Sequence, residues 1–481
     1  MSTLVVDVGT SGLRAAVVDG GGAVRGLEYR AFPPSTPFPG LVEFDGAAMA
    51  EAVLEVATRS LATSGPVAAV GITNQRASTL VWDRGSGEPI GPGLGWQDLR
   101  TVFDCINAKS EHGLPLAPNQ SATKVAWLLN NIAGARDRDL CFGTVDSWVA
   151  WVLSRGAVHV TDPSNAAVTG LLSADSMSWS AEACSALDVP MGMLPTVIDS
   201  TGVFGEATAL PGAPPLAALI GDQQASLVGQ GCVRPGLAKI TFGTGGMLDV
   251  CVGPTGPPSA RRSENGTFPI VAWSRAGQRM WGAEAIMLSA GTNVEWLRDD
   301  LGLIDSAAHS HDVAAQCDHT DGVVYVPALM GLGTPQWDYG ARGTLLGLTR
   351  GSGRPQLVRA VLEGIAHRGA DLLEAAESDY GNSIAAIRVD GGMSQNPTFI
   401  QALANATGRA IEVSRETEAT TIGAAYLAGL AVGVWGSFDD IAAAWHPRLV
   451  VEPTGQLDRQ QWARAIERAR GWIPDLSALD F

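Results

Sequence analysis

Cysteine is scarce in this chain and scattered. The six present (Cys105, Cys141, Cys184, Cys232, Cys251 and Cys317) form no CxxC pair and have no histidine cluster nearby, which predicts free thiols in a reducing cytosol. Basic residues are also in deficit. Lysine and arginine together number 32 against 49 acids, a net charge of −17, with no basic stripe carrying interleaved aromatics. That balance argues against a nucleic acid partner. Any polyanionic ligand must instead be held by local backbone dipoles, a few selected cations and a metal ion, because the global field repels it. Long hydrophobic runs are missing as well. The longest nearly uncharged apolar stretch, Ile422 to Trp435, is too short and glycine-rich to span a bilayer, and the opening MSTLVVDVGT has no basic leader region. A soluble, cytoplasmic protein without a membrane partner is expected.

What is present is a large supply of core. Hydrophobic residues make up 46% and charged residues 17% of the 481 residues, which fits an ordinary globular protein of two domains. Pro-rich connections at Pro33 to Gly40 and Pro211 to Pro215 read as loops. Strands alternating with helical stretches such as Gln356 to Ala376 indicate an α/β class.

The first chemistry-bearing stretch is LVVDVGTSGLRAAVVD, Leu4 to Asp19. Apolar runs on either side of Gly-Thr-Ser-Gly read as two β-strands joined by a tight hairpin turn. Asp7 stands beside that turn, whose small residues leave backbone N–H groups bare in the manner of a phosphate cradle. A second such hairpin lies at KITFGTGGMLDVCVG, Lys239 to Gly253, where Gly9 and Thr10 recur as Gly243 and Thr244 at an offset of 234 residues. Half the chain thus separates the two, so each half is expected to begin with the same hairpin, in two lobes of related fold. The expected lobes are residues 1–233 and 234–481. GDQQASLVGQG (Gly221 to Gly231) and TIGAAYLAGLAVG (Thr421 to Gly433) read as small-residue helices late in each half. Such helices permit close backbone approach, suited to a crossing between lobes or simply to tight packing.

With these hairpins, SATKVAWLLNN (Ser121 to Asn131), the run from Gly343 to Gly364 and VDGGMSQN (Val389 to Asn396) in this order, the chain resembles the FGGY carbohydrate kinases, of glycerol kinase and xylulokinase type. Thr73 to Arg76, Trp96 to Asp98 and Gly347 to Gly351 are most similar to the glycerol kinases among them. The resemblance implies a duplicated actin-like, ribonuclease H-like fold with its active site in the cleft between lobes. It also implies transfer of the ATP γ-phosphoryl group to a hydroxyl of a small sugar or polyol, a Mg²⁺ ion, and a homodimer or homotetramer. Residue by residue, it places Thr10, Ser11, Gly12, Arg14, Gly243 and Thr244 on the phosphates, Asp7 on the Mg²⁺ through water, and Gly291, Glu295, Gly392 and Asn396 near the adenosine. Asp222, which by position alone reads as a helix N-cap, becomes the general base, kept ionised by the helix N-terminus. Arg76, Trp96, Asn119 and Gln223 become the acceptor contacts. The run from Gly343 to Gly364 is expected to be structural, a turn and then an amphipathic helix with Leu357, Val361 and Ile365 on one face.

Three positions depart from the glycerol kinase pattern. Glu295 replaces a glutamine, Ala77 replaces an acidic acceptor contact, and Asn119 replaces an aromatic residue. With two hydroxyl partners changed, a larger polyol or a ketose such as xylulose is expected as acceptor rather than glycerol. Asp98 reads equally as an acceptor contact and as a solvated loop acid. A non-catalytic actin-like protein, binding nucleotide or sensing sugar, is the competing class.

Overall fold

A computed structural model describes residues 1–173, 178–257, 261–381, 383–384, 387–415 and 418–479. The first lobe is built on strands β1 (Ser2–Val8), β2 (Gly12–Asp19), β3 (Val24–Ala31), β4 (Ala69–Asn74), β5 (Thr201–Glu206) and β6 (Pro215–Gly221). The second is built on β7 (Ala238–Phe242), β8 (Gly246–Gly253), β9 (Phe268–Arg275), β10 (Gln278–Met287), β11 (Ile387–Asp390), β12 (Ile411–Ser414) and β13 (Pro447–Val451). Six helices bear on the site: α1 (Gly46–Ser64), α2 (Asp222–Gly229), α3 (Gly291–Asp299), α4 (Arg354–Tyr380), α5 (Pro397–Thr407) and α6 (Ala419–Ala431).

The duplication expected from the two hairpins is present in the sheets. The first runs β5-β6-β4-β1-β2-β3 and the second β9-β10-β8-β7-β11-β12-β13. In each, a central strand (β1, β7) pairs antiparallel with the strand after its hairpin and parallel with a later one (β4, β11). The two lobes therefore share the ribonuclease H-like core of the actin-like fold, each with added edge strands. The 234-residue offset carries β2 onto β8 residue for residue.

β1 is apolar on both faces because both are covered. Leu4, Val6 and Val8 pack in one cluster with Met49, Val53 and Val56 of α1, whereas Val5 packs in another with Ala225 and Val228 of α2 and Ile422 and Ala425 of α6. Alternation then sets Asp7 on the Val5 side, opposite Arg14 of β2. In the second lobe Ile240 and Phe242 enter the core with Val361 and Ile365 of α4, while Leu357 packs at its margin. The amphipathic reading of that helix holds.

The lobes meet where α2 crosses α6. A Cβ on Gly229 would stand 1.9 Å from the Ala419 carbonyl oxygen, and one on Gly423 would stand 1.8 Å from that of Ala225. Only glycine admits backbones at that separation. This small-residue pair is therefore a crossing, as one of the two sequence readings had it. All six cysteines are free thiols. Among the described residues no helix is long and apolar enough to cross a membrane. Gly423→Ala is expected to lower unfolding stability by about 1 to 3 kcal/mol, the usual range for overpacking, as read from the midpoint of urea denaturation. A wild-type midpoint would contradict this packing.

Candidate active site

The first hairpin closes through the Gly9 amide donating to the Gly12 carbonyl at 3.0 Å. Thr10 and Ser11 occupy its tip, Ser11 exposed, whereas Gly12 is buried as the first residue of β2 with the Tyr29 ring against it. The second hairpin leaves Gly243 and Thr244 exposed. Their carbonyls are engaged from the start of α3: the Gly291 amide donates to Gly243 O at 2.9 Å and the Ala290 amide to Thr244 O at 2.8 Å. A Cβ on Gly291 would lie 2.6 Å from Gly243 O, so glycine is required there. Gly391, at φ +85°, passes under Phe242 at the foot of the same hairpin and puts Gly392 in open space. The structure thus gathers Gly243, Thr244, Gly291 and Gly392.

Glu295 is exposed on α3. Asn396 is the N-cap of α5: its Oδ1 accepts from the Phe399 amide at 3.1 Å and its Nδ2 donates to Ser310 Oγ at 2.8 Å. Its side chain is thereby committed to the fold.

Asp7 is 3% exposed. Burial pushes its carboxyl up to about 7, partly opposed by Arg14 and reinforced by Asp222 and Glu418. Arg14 Nε lies 3.3 Å from Asp7 Oδ2, and its Nη1 donates across the cleft to Glu418 Oε2 at 2.8 Å. A buried carboxylate held near neutrality by desolvation is a hard-oxygen ligand awaiting a cation, which fits Mg²⁺. No group of three or more potential protein ligands occurs among the described residues.

Asp222 opens α2, with Gly221 as the N-cap. It is not itself the cap that its sequence position suggested. Its Oδ1 accepts from the Gln223 amide at 2.8 Å and lies 3.7 Å from Arg76 Nε. The helix terminus was expected to favour its ionised form. Burial outweighs Arg76 and the Gln223 amide and raises the carboxyl above its usual range, which strengthens it as a proton acceptor.

Arg76 donates through Nη2 to Glu284 Oε2, and its Nη1 is buried with no hydrogen-bond partner among the described residues. Gln223 Oε1 accepts from Lys239 Nζ at 2.9 Å, and Lys239 pairs with Asp249 at 2.8 Å, both side chains fully buried. Lys239, Asp249, Glu284 and Glu418 were not singled out from the sequence. A charge embedded in an apolar strand, as in AKITF and GAEAIM, was the available signal for the first and third.

Trp96 meets the first hairpin, its indole Nε1 donating to Thr10 Oγ1 at 3.1 Å. The SATK stretch holds it there. Lys124 Nζ, buried, donates to the carbonyls of Gly95 at 2.7 Å and Trp96 at 3.2 Å, and Ser121 Oγ donates to Ala77 O at 3.0 Å. Ala77 sits at φ 63°, a left-handed conformation that costs a non-glycine residue about 1 kcal/mol. Asn119 is exposed in the loop before the helix Ala122–Asn131 and is not among the residues hydrogen-bonded to this cluster. Asp98 matches neither of its two readings. It is fully buried and accepts from the Val42 amide, the Arg100 amide and the Arg100 guanidinium, which consumes its acceptor capacity in anchoring the loop.

Two ribonuclease H-like lobes, each with a Gly-Thr hairpin at its central strand, and a carboxylate at the mouth of one helix define a phosphotransferase of the actin-like class. The N-terminal domain of the FGGY family of carbohydrate kinases matches residues 2–229, and the C-terminal domain of the same family matches residues 238–432. The chain belongs to that family and is an ATP-dependent carbohydrate kinase. It is 41% identical to a glycerol kinase from Aromatoleum aromaticum, with 98% of this chain and 99% of the relative covered. Its fold matches that of Plasmodium falciparum glycerol kinase with ADP at a TM-score of 0.91 and 27% identity, covering 97% and 98% of the two chains. It matches a xylulose kinase from Lactobacillus acidophilus at 0.84 and 21%, covering 97% and 96%, a likeness of fold.

Lys124→Met removes the donor to two buried carbonyls and is expected to cost about 1 to 3 kcal/mol. Burial lowers the Lys124 ammonium from 10.5 to about 8. The unfolded chain therefore keeps this proton where the folded chain has released it, and wild-type stability gains a contribution as pH rises from about 8 to 10.5. Melting midpoints across that interval are expected to show the rise in wild type and to lack it in Lys124→Met. Parallel curves would contradict it.

Proposed function

We propose that this kinase phosphorylates glycerol in the cytoplasm, with Asp222 as general base and residues 1–233 and 234–481 as its two lobes. Arg76, Trp96 and Gln223 bind the acceptor. Thr10, Ser11, Gly12, Arg14, Gly243 and Thr244 receive the phosphates, and Gly291, Glu295, Gly392 and Asn396 border the adenosine. The observation that carries the base assignment is Asp222, raised by burial and flanked by Arg76 and Gln223 at the opening of α2. The acceptor hydroxyl gives its proton to Asp222 as its oxygen attacks the γ-phosphorus and ADP leaves. Asp222 then passes the proton to solvent. Asp7 would hold a Mg²⁺ ion through water, and that ion would supply positive charge to the phosphates.

Ala77 and Asn119 argued for a larger acceptor. One comparison favours glycerol instead: the relatives at about 41% identity over nearly the full chain are glycerol kinases. A nucleotide-binding protein without acceptor chemistry has no need of the buried, unpartnered Arg76 Nη1 next to a raised carboxyl.

Coupled ADP release from Mg-ATP is the test, run with glycerol, erythritol, xylitol, xylulose and ribulose. Stimulation by glycerol is expected, with kcat reduced about a thousandfold in Asp222→Asn. The acid limb of kcat/KM is expected above the ordinary carboxylate value of 3.8, because activity is lost as pH falls through a raised Asp222 pKa. Stimulation by a ketose alone would replace the substrate, and an active Asp222→Asn would remove the base.

A further inference from the structure

The acceptor arginine belongs to the first lobe, yet of its two ionic partners, Asp222 and Glu284, the one that it hydrogen-bonds does not. Glu284 lies on β10 of the second lobe, its side chain 8% exposed, and accepts from Arg76 Nη2 across the cleft. Its place follows from strand register. Lys239 is opposite Asp249, and Asp249 is opposite Glu284, so three neighbouring strands present a lysine and two acids in one row on one face. Two carboxylates directly opposite one another repel. Lys239 compensates Asp249, both fully buried. Glu284 is then left to a cation from outside its own sheet, and Arg76 is that cation.

The same contact fixes the guanidinium in space. The Arg76 stem lies over Gly221, the residue before the base, where a Cβ would come within 2.7 Å of Arg76 Cδ. Nε faces Asp222 at 3.7 Å, Nη2 faces Glu284, and Nη1 is the donor left over, buried and without a hydrogen-bond partner among the described residues. A planar fork bound at one nitrogen and lying against a carboxylate at another has little rotational freedom. Its remaining donor is therefore aimed before a ligand arrives.

The geometry points to Glu284 as the positioning residue of the acceptor site: from the second lobe it orients Arg76 so that Nη1 faces an acceptor hydroxyl, and it keeps that guanidinium from closing on Asp222. This rests on the reading of Arg76 as an acceptor ligand. Glu284 itself touches no reacting atom.

The test is steady-state kinetics of the full-length enzyme with Mg-ATP and glycerol, on Glu284→Gln, Glu284→Asp, Arg76→Met and the Glu284→Gln/Arg76→Met double variant. Glu284→Gln is expected to raise the glycerol KM about tenfold, with kcat within about threefold and the ATP KM within about twofold of wild type, because an oriented donor binds ground and transition states alike. Glu284→Asp keeps the charge and is expected to recover part of the KM. The double variant is expected to be no worse than Arg76→Met alone, since Glu284 acts only through that side chain. A glycerol KM unchanged in Glu284→Gln while Arg76→Met raises it would overturn the role of Glu284 alone. An unchanged KM in Arg76→Met would overturn the acceptor reading of Arg76 and the inference with it. Multiplying defects in the double variant, or an equal loss on both substrates accompanied by a lowered melting midpoint, would make Glu284 a merely structural residue and overturn the inference too.

Discussion

The cleft depends on the contact between α2 and α6, where glycine at 229 and 423 lets two helices from different lobes touch backbone to backbone. Close-packed backbones transmit position without the slack of intervening side chains. Three further contacts are built on that separation: Arg14 to Glu418, Arg76 to Glu284, and Gln223 to Lys239, each pairing a first-lobe residue of the site with a second-lobe charge. Their reach is limited to a hydrogen bond, so a crossing held apart by even one methyl would strain all three. The glycines are remote from the chemistry, yet they determine whether its parts face one another.

A protein of net charge −17 that handles a polyphosphate has an electrostatic difficulty, and the cleft solves it by proximity rather than by abundance. Asp7, Asp222, Asp249 and Glu284 are set among Arg14, Arg76 and Lys239. Burial strengthens these pairings by excluding water and at the same time penalises each unpaired charge. The balance falls differently on each acid. Asp249 is paired with a lysine within its own sheet yet is still raised to about 6 by burial, and Glu284 is paired with an arginine from the other lobe, while Asp7 and Asp222 are likewise pushed upward by burial. In the proposed mechanism Asp7 serves a cation and Asp222 a proton, which is the division of labour that phosphoryl transfer requires.

Much of the fold was legible in the sequence because it is locally encoded. Apolar runs around Gly-Thr turns gave both hairpins, and their offset gave the duplication, since two copies of one local pattern need no knowledge of long-range pairing. The transverse row Lys239, Asp249 and Glu284 was not legible. It exists only once three strands are laid in register, with 35 residues of chain separating Asp249 from Glu284. Asp98 failed for a related reason: its partners include the amide of Val42, 56 residues away, and no composition or spacing reveals that an acid will be enclosed. The capping role of Asn396 was readable in principle from the Pro397 that follows it.

The substrate question turns on the same distinction between local and assembled information. Read along the chain, the alanine after Arg76 deletes a carboxylate, and a pocket that has lost a hydrogen-bond acceptor should reject the ligand that used it. Read in space, Arg76 has a carboxylate against it, contributed from β10. A substitution at one position of a site therefore alters specificity only to the extent that the assembled site has no second source of the same group. Here Ala77, held in a left-handed turn by Ser121, brings no carboxylate, and the guanidinium is paired with Glu284 instead.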